Sequence, residues 1–535
     1  MEFNRRQGLA AAGGLAASVA LPTGEASAQT RAETLRYVTG NAVNSLDPTV
    51  PGSTRESFGV SMNVYDRLAA FGRKRLGDNW VFDHNEIRGE LAERIDRSPD
   101  GRTFAFHLRP DATWHDGTPV TAEDIKWSLD RCVSARSLAP PQMSTGSITK
   151  PEQFRIAGPR TVELMVDRPD RLALSNMCVP YAIMINSTLA KRHATTDDPW
   201  ALAWLKDNTA ASGAYMIEQH RPGTQTILRR NDKWKGGALP NFQRVIVQTV
   251  PEVATRANLV ERGDADLSID LQPSDVAALE QRGRVKVVSV PQTNGFTHIS
   301  MNNTIAPFDD VKVRQAIAAA LPYQHMFQAS LFSRGRALFG GDWTGTPPTA
   351  DFPQPMPLAL NLDRARELLR ESGHPNGFST TFTIGTGTSA WAEPMAALIK
   401  ESLARINIQV DIRKLPDAQF NTGQAERSLP FYTEGGTAWL PAPDYFFRLY
   451  FTRPQRWNFA SFNNEELNAL TREAQFETDP AKYEAACKRM IGILAAEVPL
   501  ILVWQPLHEA VMARNIEGYT YWFYRQVDFR DLKRV

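Results

Sequence analysis

The chain has 535 residues, enough for two large lobes or for three to four domains at roughly 150 residues each. It is 42% hydrophobic and 22% charged, with 60 Lys and Arg against 59 Asp and Glu, and this composition excludes disordered and fibrous proteins. The net charge of +1 gives no basic surplus for nucleic acid or an anionic membrane, so we expect a ligand pocket and no nucleic-acid partner.

The first 28 residues have the pattern of an export signal. Arg5 and Arg6 precede a weakly apolar stretch rich in Ala and Gly, and the small residues Ala26 and Ala28 suit a signal peptidase. We therefore expect cleavage after Ala28 and a periplasmic protein. The arginine pair favours the twin-arginine route, with Sec export as the alternative. The apolar stretch is too short for a membrane anchor, which needs about 20 residues.

In the first half of the chain, strands and helices are predicted. An alternating strand over 35–39 runs into a turn-rich loop, and Thr121 is predicted to start a helix through a capping box with Asp124. Further strands are predicted at 103–108, 213–219, 225–230, 245–250, 264–269, 285–291 and 296–301. Pro291 interrupts the hydrogen-bond ladder between the last two strands, because proline has no amide hydrogen. We therefore predict a domain crossover at Pro291.

The second half alternates helices and strands. A βαβ unit is predicted from the order helix, strand, helix, strand over 363–372, 380–384, 391–405 and 408–412. Two late helices, 464–476 and 480–494, lead to an apolar strand over 498–504, which we predict as the return crossing.

One long string and five shorter ones carry a resemblance to a known family. The long string, Leu91–Arg131, reads LAERIDRSPDGRTFAFHLRPDATWHDGTPVTAEDIKWSLDR. The shorter ones read SLDP at 45–48, NVYDRL at 63–68, SGAYMIEQ at 212–219, RRNDKWKGG at 229–237 and MNNTIAPFDDVKVRQAIAAAL at 301–321. Together they resemble the family-5 extracellular solute-binding proteins, the dipeptide-, oligopeptide- and nickel-binding receptors of ABC importers.

The resemblance implies an α/β, two-lobed fold of the type II periplasmic-binding-protein class, in the large form of the peptide receptors. The first lobe would span 29–290, with an inserted subdomain at about 71–207, and residues 500–535 would return to it. The second lobe would span 291–499. A ligand that contacts both lobes would stabilise their closed arrangement.

The implied function is that of a periplasmic substrate-binding component, which captures a small peptide or peptide-like organic solute and delivers it to an ABC permease and ATPase complex in the inner membrane. We expect a monomer without catalytic residues. The alternative is an exported hydrolase or redox enzyme on the same two-lobed scaffold. Ser147 and Lys150 match the Ser-x-x-Lys of penicillin-binding enzymes, but the partner motifs Ser-Asp-Asn and Lys-Thr-Gly are absent from the sequence.

We expect neither a cofactor nor a metal. Cys132, Cys178 and Cys487 are too widely spaced for a Cys-x-x-Cys site or a disulfide framework. The string Gly385–Ala390 passes for a dinucleotide-binding loop, with Asp411 as its acidic residue. Asp411, however, lies within a strand rather than at its carboxyl end, so an ordinary βαβ turn is predicted.

The ligand site is predicted from a departure from the family pattern. In the peptide receptors that this chain resembles, a carboxylate near a Gly-Trp-x-x-Asp string pairs with the ligand's amino terminus. The matching stretch is 435–444, and its alignment puts Trp439 where that aspartate is expected. A ligand with an apolar or ring portion, or a cation that stacks on Trp439, would suit such a site. Asp444 is the alternative anchor after a small loop shift, so peptides stay the leading ligand class.

Four further ligand-binding candidates follow from position: Asn44 after the first strand, Tyr181 near the end of the subdomain, Asn302 after the crossover strand, and Arg453 beyond the Trp439 loop. Each also has a scaffold interpretation. Asn44 would be an Asx-turn residue, Tyr181 core, Asn302 a strand cap and Arg453 solvated surface.

Overall fold

The computed structural model describes residues 31–338, 359–440, 442–453 and 457–535. The predicted signal peptide, 1–28, lies outside the described residues. Among the helices of these ranges, none is long and apolar enough to cross a membrane.

The described strands are interspersed with helices along the chain. The strands are β1 (Thr34–Thr39), β2 (Ala69–Leu76), β3 (Asn79–Gly89), β4 (Ala92–Arg97), β5 (Thr103–Leu108), β6 (Phe154–Gly158), β7 (Thr161–Met165), β8 (Tyr215–Arg221), β9 (Gln225–Arg230), β10 (Arg244–Thr249), β11 (Leu267–Ile269), β12 (Val285–Pro291), β13 (Gly295–Met301), β14 (Gly335–Ala337), β15 (Ser379–Gly385), β16 (Gln409–Leu415), β17 (Phe431–Thr437), β18 (Leu500–Ala513), β19 (Ile516–Glu517), β20 (Thr520–Tyr521) and β21 (Lys533–Arg534).

The described helices are α1 (Arg55–Val64), α2 (Ala122–Ser134), α3 (Ala139–Met143), α4 (Ser187–Lys191), α5 (Leu202–Leu205), α6 (Val253–Arg262), α7 (Pro273–Arg282), α8 (Val311–Ala319), α9 (Tyr323–Leu331), α10 (Leu362–Glu371), α11 (Ser389–Ala404), α12 (Asp417–Ala425), α13 (Pro443–Phe451), α14 (Glu465–Ala474) and α15 (Pro480–Glu497). Short 3-10 turns lie at Ser144–Gly146, Pro151–Gln153, Ser175–Cys178 and Thr386–Thr388.

Helix α2 begins as the sequence predicts. The Thr121 hydroxyl accepts from the Asp124 amide, and the Asp124 carboxylate accepts from the Thr121 amide, which confirms the capping box. The same carboxylate accepts from Trp114 Nε1 at 3.1 Å and, through its other oxygen, from the Ser187 amide at 2.9 Å. One predicted cap thus also ties two distant segments to the helix.

Twelve of the described strands form one continuous sheet. Its order is β16-β15-β17-β13-β18-β11-β1-β10-β9-β8, and β12 and β14 also pair with β18. The first part of the long strand β18, Leu500–Trp504, pairs with β13, and its last part, Leu507–Ala513, pairs with β12. The chain therefore passes between two parts of the sheet at two places, within β18 and between Pro291 and Gly295.

We call residues 31–291 and 507–535 half I, and residues 295–338, 359–440, 442–453 and 457–506 half II. Each half has its own apolar core. Half I packs Leu35, Tyr37, Val245 and Leu267 together, and half II packs Ile299, Phe382, Phe431 and Trp504. The lobe boundaries at 290/291 and 499/500 and the subdomain limits of about 71 and 207 stay predictions.

Two smaller sheets extend half I. Strands β4, β5, β7 and β6 form a four-stranded sheet, and β2, β3 and β20 form a three-stranded one. Their core includes Phe71 and Phe106, and it also takes in Leu440 and Tyr445 of half II. The two halves therefore share apolar contacts away from the crossings as well as at them.

Candidate functional site

The two halves meet along edges where parallel strands end. In half I, β1 runs parallel to β10 and β11, and in half II, β15 runs parallel to β16 and β17. At the ends of these strands, Ile269 pairs with Ala510 of β18, and Thr437 pairs with Gly295. Both edges therefore lie beside the crossings, and ligands of open α/β sheets bind at such carboxyl edges.

An aromatic group joins the two halves beside these edges. We use this name for Phe58, Tyr181, Trp439 and Phe523. The Trp439 ring of half II lies edge-on to three rings of half I, at centroid distances of 5.2 Å to Phe58, 5.6 Å to Tyr181 and 6.3 Å to Phe523. Trp439 is half-buried while its three partners are buried. The indole is therefore the member with surface left for a ligand to cover.

Asn294, between the two halves, positions the Trp439 segment. Its side-chain amide donates to the carbonyls of Ala438 at 2.7 Å and Phe523 at 2.8 Å, and its side-chain oxygen accepts from the Tyr521 hydroxyl at 2.7 Å. Asn294 is completely buried. One side chain thus holds the backbone next to Trp439 against the backbone of Phe523.

Two arginines of half I lie beside the aromatic group. Arg55 is the first residue of α1, and Arg525 follows the aromatic run Tyr519–Tyr524. Burial, together with the neighbouring Arg525 charge, lowers the pKa of Arg55 to about 10. Arg525 donates to the Gln292 side chain at 3.1 Å, beside the crossing. This wall of the space between the halves therefore carries two cations, with the carboxylates of Glu56 and Asp270 near Arg55.

His508 lies in β18 near these arginines, with its Nε2 2.7 Å from the Tyr519 hydroxyl. Burial lowers the pKa of His508 to about 4, and the charges of Arg525 and Arg55 act in the same direction against that of Asp270. In the unfolded chain the histidine side chain takes up a proton near pH 6.5, so His508 stabilises the fold above that pH and less below it.

Between pH 7.5 and pH 5.5 we expect the contribution of His508 to the free energy of unfolding to fall by about 1 kcal/mol. Urea unfolding at both pH values should show this loss of stability in the natural chain. In His508→Gln the loss between the two pH values should be smaller by about the same amount. Equal losses in the natural chain and the variant would contradict the lowered pKa of His508.

Asp444 is enclosed by its own half. Its carboxylate accepts from the Tyr483 hydroxyl at 2.6 Å and lies 3.5 Å from Arg448 Nη2. Burial raises the pKa of Asp444, although Arg448 and Tyr483 oppose the shift. Its side chain is completely buried, so it presents no free oxygen to the space beside Trp439.

Three of the other predicted residues, Asn44, Asn302 and Arg453, make hydrogen bonds that fix the scaffold. Asn44 Oδ1 accepts from the Thr54 amide at 2.9 Å and the Ser57 hydroxyl at 3.0 Å, and so fixes the start of α1. Asn302 donates to the Arg427 carbonyl at 2.8 Å, at the end of β13 remote from Gly295. Arg453 is exposed and donates to the Ser461 carbonyl. Of the candidates, Tyr181 and Trp439 come together, and the ligand contacts of all six stay predictions.

A second polar contact also joins the halves. Its hydrogen bonds run from Tyr445 to Gln142 at 2.9 Å, from Arg448 to the Thr145 carbonyl at 3.2 Å, and from Gln475 to Asp170 at 2.7 Å. Ser147 lies in this contact and donates to Asp170 at 2.6 Å. Its hydroxyl therefore has a structural partner at the contact between the halves.

The described ranges contain no group of three or more His, Cys, Asp or Glu side chains placed to hold a metal. Cys132, Cys178 and Cys487 are buried free thiols, and burial raises the pKa of each. A thiol held in its neutral form is a poor metal ligand and a poor nucleophile. That the protein uses neither metal nor cofactor stays a prediction.

Sequence reasoning missed Arg55, Asn294, Phe523 and Arg525. None of them belongs to a recognised motif, and they come from three separate stretches of the chain. The run YTYWFY at Tyr519–Tyr524 was the available signal, because so many adjacent aromatic residues are unusual in a simple return segment.

Comparison with known families gives one match over more than half of the chain. The model described as bacterial extracellular solute-binding proteins, family 5 Middle, matches residues 86–458. This range contains Tyr181, Asn294 and Trp439, and leaves out α1 and the C-terminal segment.

Among known proteins, the chain is similar to the probable D,D-dipeptide-binding periplasmic protein DdpA of Escherichia coli (strain K12), with 27% identity over 495 residues and 89% of each chain covered. It is also similar to the glutathione-binding protein GsiB of Pectobacterium atrosepticum, with 24% identity over 532 residues and 96% of each chain covered. Among solved structures, the periplasmic binding protein DppA of Helicobacter pylori in complex with the peptide STSA matches with a TM-score of 0.77 and 21% identity, covering 94% of this chain and 98% of that one.

Proposed function

The chain belongs to the bacterial extracellular solute-binding proteins of family 5, and we propose that it captures a small peptide or peptide-like organic solute between its halves and delivers it to a membrane permease. It is a solute-binding component of an ABC importer, and we propose the periplasm as its location. Its fold is the predicted one, a two-lobed α/β fold of the type II class in the large form of the peptide receptors.

The contact of Trp439 with three rings of half I carries the proposal that the solute binds between the halves. Within the described ranges, two crossings connect the sheet of one half to that of the other, so the halves can close on a ligand that touches both. Such a ligand shifts the population towards the closed arrangement, which a permease can then distinguish from the open one.

The solute class is proposed from the relatives and from the site together. The relatives are named for a D,D-dipeptide and for glutathione, and the similar structure holds a peptide. Asp444 is engaged with Tyr483, so we propose that the Trp439 ring supplies the contact from half II and Tyr181 one from half I. A flat aromatic face accepts peptide planes, apolar side chains and cations alike.

Export follows the family, whose members act outside the cytoplasm. We propose cleavage of the signal peptide after Ala28 and export by the twin-arginine route, with Sec as the alternative. We also propose that the protein acts as a monomer, without nucleic acid, and leaves its solute chemically unchanged.

The test begins with protein isolated from the periplasm without denaturation. Native mass spectrometry should reveal a co-purifying solute, and calorimetry should show that this solute binds again to protein refolded without it. In Trp439→Ala we expect at least a tenfold weaker affinity, because a central aromatic contact contributes about 2 kcal/mol or more. Trp80→Ala is the matched control, since Trp80 is half-exposed on a surface hairpin beneath Arg73 and Arg75.

Equal affinities of Trp439→Ala and the natural chain would place the solute elsewhere. If no compound from the isolated protein bound again at submillimolar concentration, capture itself would be contradicted. Turnover of peptides, esters or β-lactams that disappears in Ser147→Ala would instead support the hydrolase alternative.

A further inference from the structure

Among the described residues, the Arg55 guanidinium at the edge of half I has no hydrogen-bond partner. Although half-buried, it makes no hydrogen bond and no ion pair within the part of the chain that the structure describes. Glu56 and Asp270 are near enough to raise its pKa, but burial and Arg525 outweigh them. Burial also raises the pKa of Glu56. A partly desolvated guanidinium therefore has carboxylates near it but no direct hydrogen-bond partner within the described ranges.

Arg525 is a second cation with unused hydrogen-bonding capacity. Its Nη1 donates to Gln292, while its Nε is buried without a partner among the described residues. The Arg525 backbone has a φ of +52°, in the left-handed region that non-glycine residues adopt only when their surroundings impose it. Its position is thus held by the fold, although its guanidinium is not fully satisfied.

Both guanidinium groups lie at the space between the halves. Arg55 and Phe58 are three residues apart on α1 and so share a helix face, and Phe58 contacts Trp439. Burial raises the pKa of Tyr181, and the Arg55 charge opposes that shift. Burial likewise raises the pKa of Tyr450 in half II, and there the Arg525 charge opposes it. Arg55 therefore lies near Tyr181 of the aromatic group, and Arg525, two residues after Phe523 in the chain, lies near Tyr450.

We propose that Arg55 and Arg525 together bind a carboxylate of the transported solute. This rests on the proposed function and adds the ligand group that the two arginines select. A planar guanidinium offers parallel N–H donors that match the two oxygens of a carboxylate. In the ligand-free protein the two like charges repel each other, and a bound carboxylate removes that repulsion. Trp439 would then contact the remainder of the same solute.

The first test needs no ligand. Protein freed of solute by unfolding and refolding is compared with Arg55→Gln, and we expect the variant to have a Tm higher by about 1–2 °C, because an unpaired charge has been removed. Arg334→Gln is the matched control. Arg334 is also a half-buried arginine near the crossing, but it is paired with Glu509 and Glu280, so its loss should lower the Tm. A lower Tm in both variants would make Arg55 a structural residue and overturn the proposal.

The second test measures binding by calorimetry. The probes are dipeptides, each as the free acid and as the C-terminal amide, and the co-purified solute with its methyl ester. We expect the acid to bind about 10- to 100-fold more tightly than its amide or ester, and this difference to disappear in Arg55→Gln and Arg525→Gln. Arg262→Gln, at an exposed pair with Asp264, should keep the difference.

The outcomes separate this inference from the proposed function. Equal binding of acid and amide, or a co-purified solute without a carboxylate, would overturn the carboxylate site and leave solute capture intact. A solute whose only anionic group is a phosphate or sulfate would overturn it as well. If no probe and no co-purified compound bound, both proposals would fail together.

Discussion

Glu90→Gln is expected to lower the free energy of unfolding by about 3–5 kcal/mol, because it leaves the buried Arg67 guanidinium without its counter-charge, whereas Arg530 keeps its pair with Asp528. The Glu90 carboxylate is buried and accepts from the Arg67 amide at 2.8 Å, from Arg67 Nε and Nη2 at 2.9 Å each, and from Arg530 Nη1 at 2.8 Å. Urea unfolding at pH 7, followed by far-UV circular dichroism, measures the change. A loss below about 1 kcal/mol would mean that water reaches this cluster.

The same cluster sets a direction for acid unfolding. Burial alone would raise the pKa of Glu90, but Arg67 and Arg530 hold it below its usual value. Glu90 therefore stabilises the fold at neutral pH. This contribution is lost as the pH falls below the pKa of a free carboxyl. Asp96→Asn is the control, because the Asp96 pair with Arg94 is exposed, and its unfolding curve should match that of the natural chain.

The positions of Glu90 and Arg67 in the sequence explain why the fold could be predicted well. Asp66 and Arg67 belong to the string NVYDRL, and Glu90 directly precedes the long string Leu91–Arg131. Trp234, in another of the strings, donates its Nε1 hydrogen to Asp66 at 3.2 Å. The strings that carry the resemblance therefore contain many buried polar contacts, whose partners are fixed by hydrogen-bond geometry. They indicate a scaffold and say little about the solute.

The candidate site was less predictable because its residues meet only after long-range packing. Asn294 and Phe523 are 229 positions apart, and neither belongs to a periodic or turn pattern that names its partner. Trp439 was found because it departs from an aligned string. Asn302 shows the limit of reasoning from position along the chain. It follows the last residue of β13, whereas the Trp439 segment lies beside Gly295 at the other end of that strand, and seven residues that rise about 3.4 Å each separate the two ends.

Asn294→Ala is expected to lower the free energy of unfolding by about 2–4 kcal/mol, since two buried carbonyls and one hydroxyl lose their partner. We also expect the affinity for the co-purified solute to fall about tenfold or more. Ala438 would no longer be held against Phe523, and the neighbouring Trp439 ring would lose its fixed place between the halves. Urea unfolding gives the first quantity and calorimetry the second.

Asn303→Ala separates the effect on binding from the effect on stability. The Asn303 amide donates to the carbonyls of Met301 at 2.7 Å, Pro499 at 3.0 Å and Ala460 at 3.1 Å, all within half II. Its loss removes a similar set of hydrogen bonds without touching the contact between the halves. We therefore expect comparable destabilisation and an unchanged Kd. If both variants lost stability and neither lost affinity, Asn294 would be an ordinary structural residue, and the place of Trp439 would depend on its ring contacts alone.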